Sequence, residues 1–272
     1  MLKPTFPPIC SDEALLRGVL GAHPKIPLEA LYLETKSIPI RFIVASRRIM
    51  YLHAILQRDD NEMVRRVYEA QKNDPSPGDF TELVKHDREQ INLNLSDEEI
   101  SSIPKLSFRK LVKSKISNAA FRYLQKMQEG HSKMRELKYE KFELMQYLNS
   151  PLFSNTNRNL LLALRTRTVR GIRKDFRGLY QDIHCPFGCL IDDTLQHILQ
   201  CTVIKQNHTS VEVTQTSAKY EDLFSDDVIK QHNITELYNQ LLETRNKILM
   251  SMPVANNTGP LHGHQAVQNQ CI

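Results

Sequence analysis

Residues 184–201 read HCPFGCLIDDTLQHILQC and hold three of the chain's five cysteines. Their spacing is Cys185-x3-Cys189-x7-His197-x3-Cys201. Thiolate and imidazole are donors that zinc accepts, four at a time in a tetrahedron, with one pair commonly on a turn and one on a helix. Pro186 and Gly188 predict a turn between the first two cysteines. Asp193 followed by Gln196 reads as a capping box that opens a helix. On that helix His197 and Cys201 fall at i and i+4 and share a face. Four protein donors close the coordination sphere, so the expected role of Zn2+ is structural rather than catalytic. The plainer alternative is a group of small buried residues beside a surface histidine. His184 is expected outside the ligand set, in solvent or behind the ligands.

The elements that must position this cluster sit in a chain of 272 residues with a net charge of +5. No apolar leader opens it, and no apolar run reaches the roughly 18–20 residues of a membrane span. The expectation is a soluble intracellular protein with no membrane partner. In a reducing compartment, clustered cysteines favour metal over disulfides. The charge is uneven. Residues 158–177 carry Arg158, Arg165, Arg167, Arg170, Arg173, Lys174 and Arg177 against the single acid Asp175. Such a stripe is the usual footprint of phosphate binding, and the arginine fork suits it. Its own alternative is a solvated helix face, and Leu160, Leu161, Leu162 and Leu164 show that the segment also packs. Residues 76–105 run the other way, with seven acids against three bases.

Apolar spacing predicts a mainly α fold: a helical bundle with a small C-terminal Cys-Cys-His-Cys knot. Residues 1–14 read as an irregular lead-in and 15–72 as helical. Within that stretch, residues 27–35 start from a proline, and residues 40–56 are apolar almost all round, as in a buried helix. Residues 73–105 read as a linker (NDPSPGD) and a weakly structured acidic segment, with a capped start at Ser96 and Glu99. A basic helical segment covers 106–180, including helices over 106–129 and 132–148. The knot occupies 181–205, a last amphipathic helical segment 206–252, and a disordered polar tail 253–272.

No Ser/His/Asp arrangement, Gly-rich phosphate loop or His-Glu-x-x-His pattern is present. LFSDDVI at 223–229 superficially matches the paired aspartates of polymerases. Those aspartates need flanking apolar strands, whereas Asp226 and Asp227 precede a helical pattern and read as a helix cap. The chain is therefore not expected to be an enzyme by itself.

The blocks LGAHPKIPLEALYLETKSIPIRFIVASRRIMYLHAIL, SFRKLVKSKI, HSKMRELKYEKFELMQYL, LLLALRTRTVRGIRKDF and CPFGCLIDDTLQHILQC occur in this order over about residues 15–205. Together they resemble the region downstream of the polymerase palm in LINE-type (non-LTR) retrotransposon reverse transcriptases. The resemblance implies a thumb-like segment over 15–72 and a zinc-binding segment whose ligands match Cys185, Cys189, His197 and Cys201. It implies that the region helps hold template RNA and target DNA in a nuclear setting, with catalytic aspartates in upstream polymerase domains. Asp175 departs from the family, which tends to carry a neutral Asn there. The alternative function is a helical protein–protein adaptor with a purely structural zinc site.

Overall fold

Three helices begin directly after a proline. Pro27, Pro39 and Pro104 hold φ between −55° and −59° with extended ψ, and α2 (Leu28–Thr35), α3 (Ile40–Leu56) and α7 (Lys105–Glu129) follow them. The ring fixes φ and removes an N–H that would otherwise need a partner, so proline marks each boundary without a capping side chain. This computed structural model describes residues 12–176, 178–208 and 218–252. Among the described residues the architecture is helical, with only an isolated antiparallel bridge between His184 and Asp192. No helix there is long and apolar enough to cross a membrane. The expectations for 1–11, 209–217 and the tail 253–272 lie outside the described residues, as do Cys10 and Cys271. The chain divides into two units, Met1–Leu148 and Asn149–Ile272.

In the first unit, α1 (Asp12–Leu20) and α2 precede an antiparallel pair formed by α3 and α7. Phe42 meets Tyr123 edge-on at 5.8 Å and, at the other end, His53 stacks on Phe108 at 4.6 Å. Ala45, Ile49 and Leu52 fill the seam from α3, opposite Val112, Ile116 and Ala120 of α7. The apolar composition of residues 40–56 predicts burial on every side, but Ile40, Val44 and Tyr51 are exposed. One face of α3 stays open because α7 and the acidic segment cover only the other.

That acidic segment is folded, contrary to the expectation of a loose linker. After α4 (Met63–Asn73) only the short turn 74–79 is irregular, and α5 (Phe80–Gln90) and α6 (Asp97–Ser102) follow. The Asp79 side chain caps α5 by accepting from Glu82 N, and Ser96 with Glu99 forms the predicted capping box on α6. Val84, Ile91, Leu93 and Ile100 join the core. The charges that hide this in the sequence are neutralised by distant bases. Asp87, buried, receives Arg48 through Nε at 2.6 Å and Nη2 at 2.8 Å. Asp97 receives the Tyr68 hydroxyl and Lys72 Nζ, each at 2.8 Å, and Arg88 Nη1 at 3.1 Å.

Burial alone would raise the Asp97 pKa, but the Lys72 and Tyr68 hydrogen bonds outweigh it and hold the carboxyl below its ordinary 3.8. A depressed carboxyl contributes stability that is present above its unfolded value and is lost as pH falls through the folded one. Asp97→Asn is expected to weaken the first unit by about 1–3 kcal/mol at neutral pH. The gap to wild type should close as pH drops below the ordinary carboxylate range. Amide exchange across α4, α5 and α6 at both pH values checks this, and a gap that persists in acid would contradict it.

Residues 132–148 are mostly not helical, which corrects the helix expected there. Apart from a 3-10 turn at Ser132–Met134 and α8 (Gln146–Asn149), the segment runs irregularly along α7. Its buried side chains, Met134, Leu137, Tyr139 and Tyr147, suit either conformation. Gln128 Nε2 donates to Met134 O at 3.2 Å and also to Leu137 O, and Gln125 Nε2 donates to Tyr139 O at 3.0 Å. Side-chain amides of α7 thus satisfy carbonyls that a helix would have satisfied internally. The Tyr139 hydroxyl donates to the buried Glu34 at 2.6 Å, tying the segment to α2.

The second unit is built on α12 (Val228–Ser251). Asp227 caps it by accepting from Ile229 N and Lys230 N, as the helix-cap reading of the Asp-Asp pair predicts. α9 (Asn155–Arg165), α10 (Leu195–Gln200), α11 (Thr202–Asn207) and a 3-10 turn at Tyr220–Phe224 pack against it. The Tyr238 hydroxyl donates to Leu195 O at 2.9 Å and so pins the start of α10 to α12.

Candidate metal centre

Two short pieces of backbone bring the four candidate ligands together. The first is a tight reversal over residues 183–193. Cys185 N donates to Ile191 O and Asp193 N to Ile183 O, each at 2.8 Å. Within it Gly188 has φ +78° and Leu190 φ +56°, a left-handed excursion that glycine makes without strain. The second piece is α10, whose N-cap is Thr194, accepting from His197 N at 3.0 Å. The N-cap is therefore Thr194 rather than the predicted Asp193, and the Asp193–Gln196 capping box does not form. At the other end Cys201 N donates to His197 O at 2.7 Å, placing His197 and Cys201 one turn apart as expected.

The ligand atoms of Cys185, Cys189, His197 and Cys201 all lie within 4.8 Å of one another. The Cys201 sulfur is 4.0 Å from that of Cys185 and 3.7 Å from that of Cys189. Thiolates on a tetrahedral zinc, with bonds of about 2.3 Å, stand about 3.8 Å apart, whereas disulfide sulfurs stand about 2 Å apart. All three thiols are free, and Cys185, His197 and Cys201 are buried. His197 Nε2 is buried and has no hydrogen-bond partner. A buried imidazole nitrogen is ordinarily paired, so an unpartnered one on a ring that reaches within 4.8 Å of three sulfurs fits a cation ligand. Burial pushes the Cys185 thiol up to about 12, reinforced by the neighbouring sulfurs, and burial raises Cys189 as well. Apolar packing alone therefore keeps the group protonated, and a bound divalent cation is what would stabilise thiolates there. His184 is exposed and turned to Asp182 Oδ1 at 2.7 Å, outside the cluster.

The basic run is dispersed by the fold rather than presented as one stripe. Arg165 is 3 % exposed, and its Nη1 donates to Leu223 O at 2.6 Å, so its guanidinium faces the interior. Arg158 is half-buried and donates to Asn155 Oδ1 and Ser150 O, each at 3.0 Å. Arg167 is half-buried beside Tyr220, whose burial-raised pKa it tempers. Arg173 bridges to Asp182 at 3.5 Å and lies over the Tyr180 ring, and Lys174 pairs with Asp192. Arg170 is exposed. Arg177 lies outside the described residues. Arg173 and Lys174 are bonded to the loop that carries Cys185 and Cys189, so part of the basic charge serves to anchor the cluster.

The centre of that anchorage was not legible in the sequence. Asp193 and Arg245, 52 residues apart, form an ion pair at 2.7 Å with side chains 1 % and 2 % exposed. Asp193 Oδ2 also accepts from Arg173 N at 2.9 Å, and Arg245 Nη2 donates to Gly171 O at 2.9 Å. Gly171, at φ +88°, leaves the space this guanidinium uses: a β-carbon there would lie 3.3 Å from Arg245 Nη1. One clasp thus joins α12, the basic run and the residue just before α10. No protein-family model, no curated protein and no solved structure matches the chain.

Proposed function

We propose that Cys185, Cys189, His197 and Cys201 hold one structural zinc ion. We further propose that the chain is the non-catalytic, nucleic-acid-binding C-terminal portion of a LINE-type reverse transcriptase. The observation that carries the zinc assignment is the unpartnered, buried His197 Nε2 beside three free thiols at tetrahedral sulfur separations. Three sulfurs and one imidazole are a donor set that zinc accepts and that magnesium or calcium does not. With four protein donors the site has no open position for a substrate, which supports a role in folding.

In this proposal zinc orders residues 185–201, and the clasp at Asp193 transmits that order to the basic run. Arg170, with Arg158 and Arg167 at the edges, would meet phosphate, while Arg173 and Lys174 hold the knot. The polymerase chemistry would belong to upstream domains of a longer parent protein in the nucleus. The test is a titration of the full chain with single-stranded RNA and duplex DNA at several salt concentrations. The logarithm of affinity should fall linearly with the logarithm of salt, and Arg170→Gln should flatten the slope by about one counterion. Salt-independent binding, or no binding, would contradict it. A second reading, an adaptor for a protein partner, is favoured by the internal partners that Arg158, Arg165, Arg173 and Lys174 find.

A further inference from the structure

The open groove between α3 and α7 lies wholly within Met1–Leu148 and is independent of the metal cluster. We propose that it is a docking site for an acidic amphipathic helix of a partner protein. The groove encloses about 520 Å³. Its floor is aliphatic, from Ile38, Ile43, Met50 and Ile116. Its rim carries Arg47, Lys105, Arg109 and Lys113, all exposed.

These four cations differ from the bases that this unit pairs internally. Arg48, Lys72 and Arg88 each meet a carboxylate. Arg47, Lys105, Arg109 and Lys113 make no hydrogen bond or ion pair with any described residue. Three of them repeat at i, i+4 and i+8 along one face of α7, spanning about 12 Å at 1.5 Å per residue. The first turn of α7 contains no acid, and Pro104 offers it no side-chain cap. Lys105 therefore adds positive charge to the positive end of a 25-residue helix. An incoming carboxylate would meet both the ammonium and the unpaired N–H groups.

Charge alone would also admit nucleic acid, and the floor decides between the two. Single-stranded nucleic acid is held by stacking bases on aromatic rings, and no aromatic residue lines this groove. Aliphatic side chains flanked by basic ones fit a helix with apolar anchors at i, i+3, i+4 and i+7 and acids beside them. Two helical turns of such a partner match the span of the basic ladder.

The probe is a fluorescein-labelled peptide with leucines at that spacing and glutamates on the flanking positions, titrated into the full chain. Saturable binding is expected. It should weaken at least about tenfold in Arg109→Glu/Lys113→Glu, and comparably in Ile43→Gln, because it needs both charge and an apolar floor. The helical circular-dichroism signal must match wild type, and Lys113→Ala serves where the charge reversal does not fold. Oligo(dT) of equal length should not compete. Absence of peptide binding, or binding untouched by both variants, would overturn the proposal. So would oligo(dT) binding that is lost on charge reversal but kept in Ile43→Gln, which would make the groove a nucleic-acid site.

Discussion

Asp193→Ala is expected to cost the second unit about 3–5 kcal/mol, because it leaves a buried guanidinium without its counterion. Arg245 is 2 % exposed, and its remaining partner at Nη2 is a neutral carbonyl, Gly171 O. The same substitution frees Arg173 N, which bonds Asp193 Oδ2 at 2.9 Å. A loss of that size is a large share of the roughly 5–15 kcal/mol that stabilises an ordinary domain. Arg245→Met should do comparable damage from the other side, by stranding a buried carboxylate. The double variant should be much less destabilised than the sum, with a coupling of about 1–3 kcal/mol, because neither charge is then left alone. Denaturant unfolding of the four proteins of this cycle checks it. Additive losses would mean that the two side chains stabilise the unit separately.

Loss of the proposed zinc is expected to have a still larger local effect. Zinc binding supplies on the order of 10 kcal/mol in small metal-dependent folds. The pieces it would hold here are weak by themselves: α10 has six residues, and the reversal before it has one isolated bridge. A six-residue helix is well below the length at which helices persist in water. Chelation of the full chain, or Cys201→Ser, should therefore abolish amide-exchange protection over residues 183–207. Protection in α3 and α7, which belong to the other unit, should be unchanged. Acid should mimic the chelator, because the ligands must be thiolates and neutral imidazole to bind. Protection that survives chelation would mean that packing alone builds the knot.

The helices that apolar spacing and start signals predict are the ones that can be read locally. Residues 40–56 and the final helix carry their own boundaries, Pro39 and Asp227. Residues 132–148 could not be read, because the decisive partners are Gln125 and Gln128 on the preceding helix. α5 was hidden because one of its two buried residues is the charged Asp87, whose partner Arg48 lies 39 residues earlier. The four candidate ligands were legible because metal spacing is a local pattern. The Asp193–Arg245 clasp was not, since nothing about either residue in sequence points to the other. Charge counting over residues 158–177 is incomplete for the same reason: it registers seven bases but not the carbonyls and carboxylates that several of them face.

The most direct measurement is elemental analysis of the freshly reduced full chain beside Cys201→Ser. The account predicts about one zinc per wild-type chain and a loss of that metal in the variant. Wild-type protein that contains no zinc, takes up none on titration and still protects residues 183–207 from exchange would contradict it.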